Sequence, residues 1–370
     1  MEEKKSNRLQ SIDALRGFDM LWIMGLPGIV FALANLTGAG WLADFGKQMH
    51  HVAWEGFHLM DLVFPLFLFI AGISFPFSVA KRRANGQTNS QIYKHIFTRA
   101  LLLFLFGLMY NGLFRFDGNL RVASVLARIG FAWMFAAIIF INTEKLSIRL
   151  IWSFGLLILY SLIFALVPAP DAPAGTDIFS AQGNFIAWFD RMFLPGRLND
   201  GIFDPEGILG LIPAVPNALF GMMAGALLLS KEKYSQEKKT LYMLIAGIIF
   251  ILAAILFNPV IPIIKKMWTP TFVFVTVGIG LVLLSLFYWV IDVKNYRKWT
   301  FPFRVVGMNS ITIYLGQKII NFGVIRDFFF AGIAAKCPKA TGDLILSCAY
   351  VFICWIFLWF LYKKKIFLKV

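Results

Sequence analysis

Asp61-Leu-Val-Phe-Pro65-Leu-Phe-Leu-Phe-Ile-Ala-Gly72 is an almost unbroken run of hydrocarbon with one carboxylate at its head. With its flanks it forms an apolar stretch over 57–80, long enough for the roughly 20 residues an α-helix needs to cross a bilayer. The rest of the chain reads the same way. Of its 370 residues 59% are hydrophobic and 15% charged, with mean hydropathy +0.73. A soluble domain averages about 45–50% apolar and about 25% charged. The excess is spread from end to end, which excludes a soluble domain on a single anchor. The prediction is an all-α, polytopic transmembrane helical bundle of about ten spans, at 12–34, 57–80, 98–115, 121–141, 149–168, 207–229, 240–258, 270–291, 303–322 and 343–362.

The net charge of +15 does not point to nucleic acid, because the basic residues lie in short clusters between apolar runs. Of the 35 Lys and Arg, 22 fall on the side that holds both termini, 10 on the other, and three (Arg16, Arg128, Lys318) within spans. Basic residues concentrate in cytoplasmic segments, so both termini are expected in the cytoplasm. Residues 1–11 then form a cytoplasmic tail, and the loop holding His51 and the long 169–206 loop face outside. The chain reads as one transmembrane domain over 1–370, without internal repeats. Ala32-Leu33-Ala34 resembles a signal cleavage site, but Asp13, Arg16 and Asp19 interrupt the region a signal keeps apolar, so the first span is expected to be retained. Cys348 and Cys354 fall in the last span and leave Cys337 alone outside, which rules out an intrachain disulfide framework.

Polar residues inside such a chain are costly and therefore informative. Three of the four histidines lie in His50-His51-Val-Ala-Trp54-Glu55-Gly56-Phe-His58, just ahead of Asp61. Asp61 is one turn from His58 and is either a structural ion partner or the orienter of a nearby histidine. Adjacent His50-His51 does not match the His-x₃-His face of a metal site, so no metal is expected. Asp13 and Arg16 form an i,i+3 pair at the start of the first span, where Asp13 suits an interfacial anchor and Arg16 can snorkel or hold a phosphate. Arg121 and Arg128, seven apart, would share one face of the fourth span and either hold anionic lipid or line a polar cavity. Gly221-Met-Met-Ala-Gly225 is a small-xxx-small packing pattern. Gly307-Met-Asn309-Ser310, with Tyr314, Gln317 and Lys318 following, gives the ninth span a polar stripe that must face protein or water.

Taken together and in order, these islands resemble the transmembrane domain of the heparan-α-glucosaminide N-acetyltransferase family, in the form of a bacterial relative. The matching stretches are Arg8-Leu-Gln-Ser-Ile-Asp-Ala-Leu-Arg-Gly17, His51-Val-Ala-Trp54-Glu-Gly56 leading into Asp61-Leu-Val-Phe-Pro65, Arg121-Val-Ala-Ser-Val-Leu-Ala-Arg128-Ile-Gly130, Asp204-Pro-Glu-Gly-Ile-Leu-Gly210, Ile291-Asp-Val-Lys294 and Gly307-Met-Asn-Ser310. Each alone is weak; six in order are specific. The resemblance implies a membrane-embedded acyltransferase that moves an acetyl group from cytoplasmic acetyl-CoA to the amine of a glucosamine-like sugar on the external, periplasmic side of a bacterial inner membrane. It aligns the family's essential histidine with His51, and Glu55 stands where the family's pattern has Asn.

On that reading His51 is the catalytic base or the acetyl carrier, and Asp61 orients it. Arg16, Arg121, Arg128, Asn309 and Ser310 are the candidates to hold acetyl-CoA, the co-substrate. Trp54, Glu55, Asp204 and Glu206 are the candidates to hold the sugar. Partners are thus a small amino sugar, CoA and the lipid bilayer, with a homodimer left open. The competing class is a transporter of sugars or organic anions, which ten spans and buried charges also fit.

Overall fold

The computed structural model describes residues 9–115, 119–230 and 233–368; the basic tail before Leu9 lies outside that range. Among the described residues the regular secondary structure is helical, apart from three isolated bridges. In order it forms α1 (Gln10–Met24), α2 (Leu26–Thr37), α3 (Gly40–Lys47), α4 (Val63–Ala84), α5 (Asn89–Tyr110), α6 (Val125–Asn142), α7 (Leu146–Leu166) and α8 (Phe185–Phe193). There follow α9 (Leu211–Leu229), α10 (Gln236–Phe257), α11 (Pro270–Tyr288), α12 (Phe301–Gly307), α13 (Ser310–Ile319), α14 (Phe322–Ala334) and α15 (Lys339–Lys363). Among the described residues eight helices are long and apolar enough to cross a membrane, and α1 with α2, bent by 61° at Gly25, meets the same length and composition only as a pair, the form of a broken span or a re-entrant loop.

The expected span at 303–322 differs. It is broken at Met308-Asn309 into the two short helices α12 and α13. The fourth span also starts later than expected: Ser124 caps α6 by accepting from Ala127 N, and Arg121 before it is extended backbone bridged to Gly196. Arg121 and Arg128 therefore do not share a helical face. The segment Phe185–Phe193, amphipathic in sequence, is α8, packed on the 167–210 loop.

Contact between the two most buried spans, α4 and α9, is made through glycine. A Cβ at Gly72 would land on the Ala218 carbonyl, and one at Gly221 or Gly225 on the carbonyl of Phe69 or Ile73. Backbones this close gain dispersion contact, which replaces the hydrophobic drive that lipid removes. The pair Gly17 and Gly307 brings α1 against α12 in the same way, a Cβ on either striking the Phe303 or Asp13 carbonyl. Outside this centre α10 and α15 turn mostly apolar, exposed surface outwards, as lipid-facing helices do.

Both chain ends reach one segment. Ser11 N donates to Asp292 Oδ2 at 3.1 Å and Arg304 Nη1 to Gln10 Oε1 at 3.1 Å, while Tyr362 packs edge-on against Phe301. The Ile291-Asp-Val-Lys294 island is thus the N-terminal clasp of α1, its carboxylate satisfying amides that a helix start leaves free.

Candidate active site

His51 stands on the loop between α3 and α4, and Asp61 in the single 3₁₀ turn Leu59–Leu62 that opens α4. Because α4 begins at Val63, Pro65 occupies its first turn, where the missing N–H is no loss. The turn aims the Asp61 carboxylate back over the loop. Its Oδ1 lies 2.7 Å from His51 Nδ1, and Oδ2 accepts from the amides of His58 (3.0 Å) and Val52 (3.4 Å). Asp61 is fully buried, while the His51 side chain is 53% exposed. The Asp61 carboxylate thus contacts the ring of His51 and only the backbone of His58.

The other two histidines turn away. His50 stacks on Phe31 with centroids 4.8 Å apart, and His58 Nδ1 lies 2.9 Å from the His50 carbonyl. Among the described residues no three His, Cys, Asp or Glu side chains converge as metal ligands would.

A third group completes the site and has no counterpart in the sequence reading. Lys265, on the loop between α10 and α11, places Nζ 2.8 Å from His51 Nδ1, 3.4 Å from its Nε2 and 3.2 Å from Asp61 Oδ1. Two backbone pairings bring it there: Glu55 bridges Ile264, and Gly56 N donates to the Ile263 carbonyl at 2.8 Å. Burial holds the Lys265 ammonium below the usual lysine pKa, against the opposing pull of Asp61. The available signal was a Lys265-Lys266 pair on the side of the spans where basic residues are scarce.

His51 and Lys265 open onto a cavity of about 260 Å³. Glu206 joins them at its polar end, Ser310 and Tyr314 stand on its wall, and Met20, Ile23, Phe67 and Ile129 are among its apolar lining. Ser310 is there because the α12–α13 break puts the first turn of α13 against the cavity. Its neighbour Asn309 is buried, and Asn309 Nδ2 has no hydrogen-bond partner, so a donor there awaits an acceptor.

Arg16 lies further in. Its Nη2 donates to Ser74 Oγ at 2.9 Å and Nη1 to the Gly307 carbonyl at 3.4 Å, with Asp13 at 3.5 Å. Ser74 is thirteen residues past Asp61, so Arg16 sits about 20 Å along α4 from the His51 end.

Arg121 and Arg128, expected with Arg16 around CoA, lie instead at the His51 end. Arg121 grips Asp204 through two bonds, Nε to Oδ2 at 2.8 Å and Nη2 to Oδ1 at 2.6 Å, and also pairs with Glu206. Arg128 Nη2 donates to the Gly207 carbonyl at 2.9 Å, and its guanidinium stands over the Trp268 ring. Asp204, expected to touch sugar, is fully buried and accepts from Arg121, Asn199 N and Glu206 N, so it fastens the loop and does not line the cavity. The cause is that a carboxylate just ahead of Pro205, with Gly207 three residues on, makes a good turn anchor, and Arg121 was near enough to fix it.

Trp54 is tied to the 167–210 loop: its indole N–H donates to the Phe179 carbonyl at 2.7 Å and its ring meets Phe203 edge-on. Glu55 has an exposed side chain beside His51 in the same loop.

Residues 8–112 match a family model described as "Domain of unknown function (DUF5009)". Along its length the chain is similar to heparan-alpha-glucosaminide N-acetyltransferase of Homo sapiens, 27% identical over 419 residues that cover 98% of this chain and 60% of that protein. It is similar to the Mus musculus protein of the same name, 26% identical over 420 residues covering 99% of this chain and 61% of the relative. The chain thus spans about three-fifths of the length of these curated relatives, and the resemblance drawn from six short islands holds along the whole chain.

Proposed function

We propose that this protein is a membrane-embedded acetyltransferase whose donor is acetyl-CoA and whose acceptor is the amine of a glucosamine-like sugar. The observation that carries the reading is the His51–Asp61 pair, 2.7 Å apart, at the polar end of a largely apolar cavity. Likeness to N-acetyltransferases over nearly the whole chain supports the same chemistry.

A sugar amine is mostly protonated at neutral pH, and only the free amine attacks a thioester. His51, with Nδ1–H held by Asp61, offers Nε2 as the base that takes the proton. Once the ammonium has lost a proton to solvent, the free amine nitrogen bonds the acetyl carbon, the carbon–sulfur bond breaks, and the second nitrogen proton passes through His51 to the departing thiolate. Direct transfer is preferred over an acetyl-histidine, which would hydrolyse readily beside an exposed site. Glu206, at the cavity's polar end, suits the acceptor's ammonium, and Glu55 and Trp54 flank it in the His51 loop. For the donor, the apolar lining fits the pantetheine arm, and Ser310 on the cavity wall fits the arm's amides or the thioester oxygen, while Asn309 is buried beside Ser310 outside the lining. Arg16, about 20 Å away along α4, suits the phosphorylated end.

Donor access is assigned to the cytoplasm, the side of both termini and of most Lys and Arg, with His51 facing the exterior of a bacterial inner membrane. The test uses purified protein in nanodiscs with labelled acetyl-CoA and glucosamine. Acetylated sugar is expected, and His51→Ala should abolish it while the protein stays folded. Unchanged activity in that variant, or none in the wild type, overturns the reading. Uptake of labelled sugar into liposomes without acetyl-CoA would point to a transporter instead.

A further inference from the structure

His51 Nδ1 has two suitors. An ammonium needs a lone pair at that nitrogen, and a carboxylate needs an N–H, so Lys265 Nζ at 2.8 Å and Asp61 Oδ1 at 2.7 Å cannot both use it at once. In one arrangement Lys265 donates to Nδ1 and the ring carries its hydrogen on Nε2. In the other Nδ1–H donates to Asp61, Lys265 rests on the same carboxylate oxygen at 3.2 Å, and the Nε2 lone pair is free. The ring is neutral in both. Imidazolium, the remaining form, would set two cations 2.8–3.4 Å apart.

Asp61 by itself would have the opposite effect. A buried carboxylate against a histidine favours the charged ring and removes it from service as a base near neutral pH. We infer that Lys265 is a positioning residue for His51: its cation offsets Asp61 and keeps the imidazole uncharged and able to accept a proton at neutral pH. This rests on the assignment of His51 as the base, and goes beyond it by naming what holds that base ready.

The charged groups around the pair fit this balance. From the 167–210 loop Glu206 reaches the same cavity but is paired with Arg121, and Asp200 is paired with Lys266 at 2.7 Å. Tyr314 faces the cavity from α13. On the His51 loop Glu55 is exposed, and His50 and His58 are engaged with Phe31 and with the His50 carbonyl. Lys265 is thus the cation in direct contact with the ring, and burial, which lowers its own pKa, marks it as desolvated enough to be felt.

The test follows His51 without requiring turnover. Diethyl pyrocarbonate modifies imidazole only in its uncharged form, so the rate of modification at His51 itself against pH, read by mass spectrometry on protein in nanodiscs, gives the midpoint of its titration. In Lys265→Met and in Lys265→Gln, the second serving if the first fails to fold, the midpoint should rise by about one pH unit or more. Lys265→Arg, which keeps the charge, should restore it. The acidic limb of kcat/KM should move upward with the midpoint. An unchanged or lowered midpoint in the neutral variants overturns the inference. Failure of acetyl transfer in the wild type would instead overturn the functional reading, and the modification assay would still report on Lys265.

Discussion

Replacing Asp61 by Asn keeps the shape of the side chain and removes its charge. The amide oxygen can still accept from the His58 and Val52 amides, which hold Oδ2 at 3.0 and 3.4 Å. The change therefore falls on the other oxygen, which faces His51 and Lys265. There the amide presents an N–H₂ where Nδ1–H needs an acceptor, so the ring takes the tautomer with hydrogen on Nε2 and loses its basic face. A hydrogen bond to a charged group contributes about 1.5–3 kcal/mol, which at 1.36 kcal/mol per tenfold corresponds to a drop in kcat of about 10- to 150-fold. The bond is already present at rest, at 2.7 Å, and strengthens when the ring becomes imidazolium in the transition state, so the loss falls on kcat and KM for acetyl-CoA should change little. Initial rates over a range of donor concentrations in nanodiscs measure both, with thermal unfolding as the control for a displaced Lys265. A folded Asp61→Asn protein with wild-type kcat would refute the orienting role, as would a loss confined to KM.

Two further perturbations address the frame around the site. Arg121→Met leaves Asp204 and Glu206 without their cation and should cost about 3–5 kcal/mol of stability, read as a lower Tm, with Arg121→Lys falling between because it lacks the planar fork; an unchanged Tm would show the clasp to be idle. Asp190 on α8 has its carboxyl pKa pushed up to about 7, by burial, against the bond it accepts from Ile208 N. Between the ordinary carboxylate value near 4 and about 7 the folded state binds more protons than the unfolded, so stability falls as pH rises through that window. Asp190→Asn should flatten Tm against pH there, and a slope equal to wild type would contradict the assignment.

The spans were legible because 20-residue apolar runs need no tertiary context. So was the pairing of His51 with a carboxylate, since Asp61 lies only ten residues on, at the start of a span. Other features were set by contacts the local sequence does not carry. Lys265 is 214 residues from His51 and reaches it through backbone pairing of two loops. Arg121 and Arg128 share a seven-residue spacing that suits a helix, but Ser124 caps α6 between them, and the extended segment before it turns Arg121 toward Asp204. Asp204 looked like a free external carboxylate, and its burial arises from a partner 83 residues away. The 303–322 stretch reads in sequence as one apolar piece with a polar stripe, while its break follows from Asn309 leaving the helical conformation as the N-cap of α13.

That break acquires weight from its place in a bundle of apolar helices long enough to cross a bilayer. Among the described residues eight helices are long and apolar enough to cross a membrane, and the bent α1–α2 pair passes the same test together; α12 and α13 are shorter, and between them the helical hydrogen-bond ladder is interrupted. A bilayer tolerates such a gap only when protein or a polar lumen shields it. At Met308-Asn309 the shield is protein, since Asn309 and Ser310 are both buried, so the helices around the break must hold their places for the chain to stay in the bilayer.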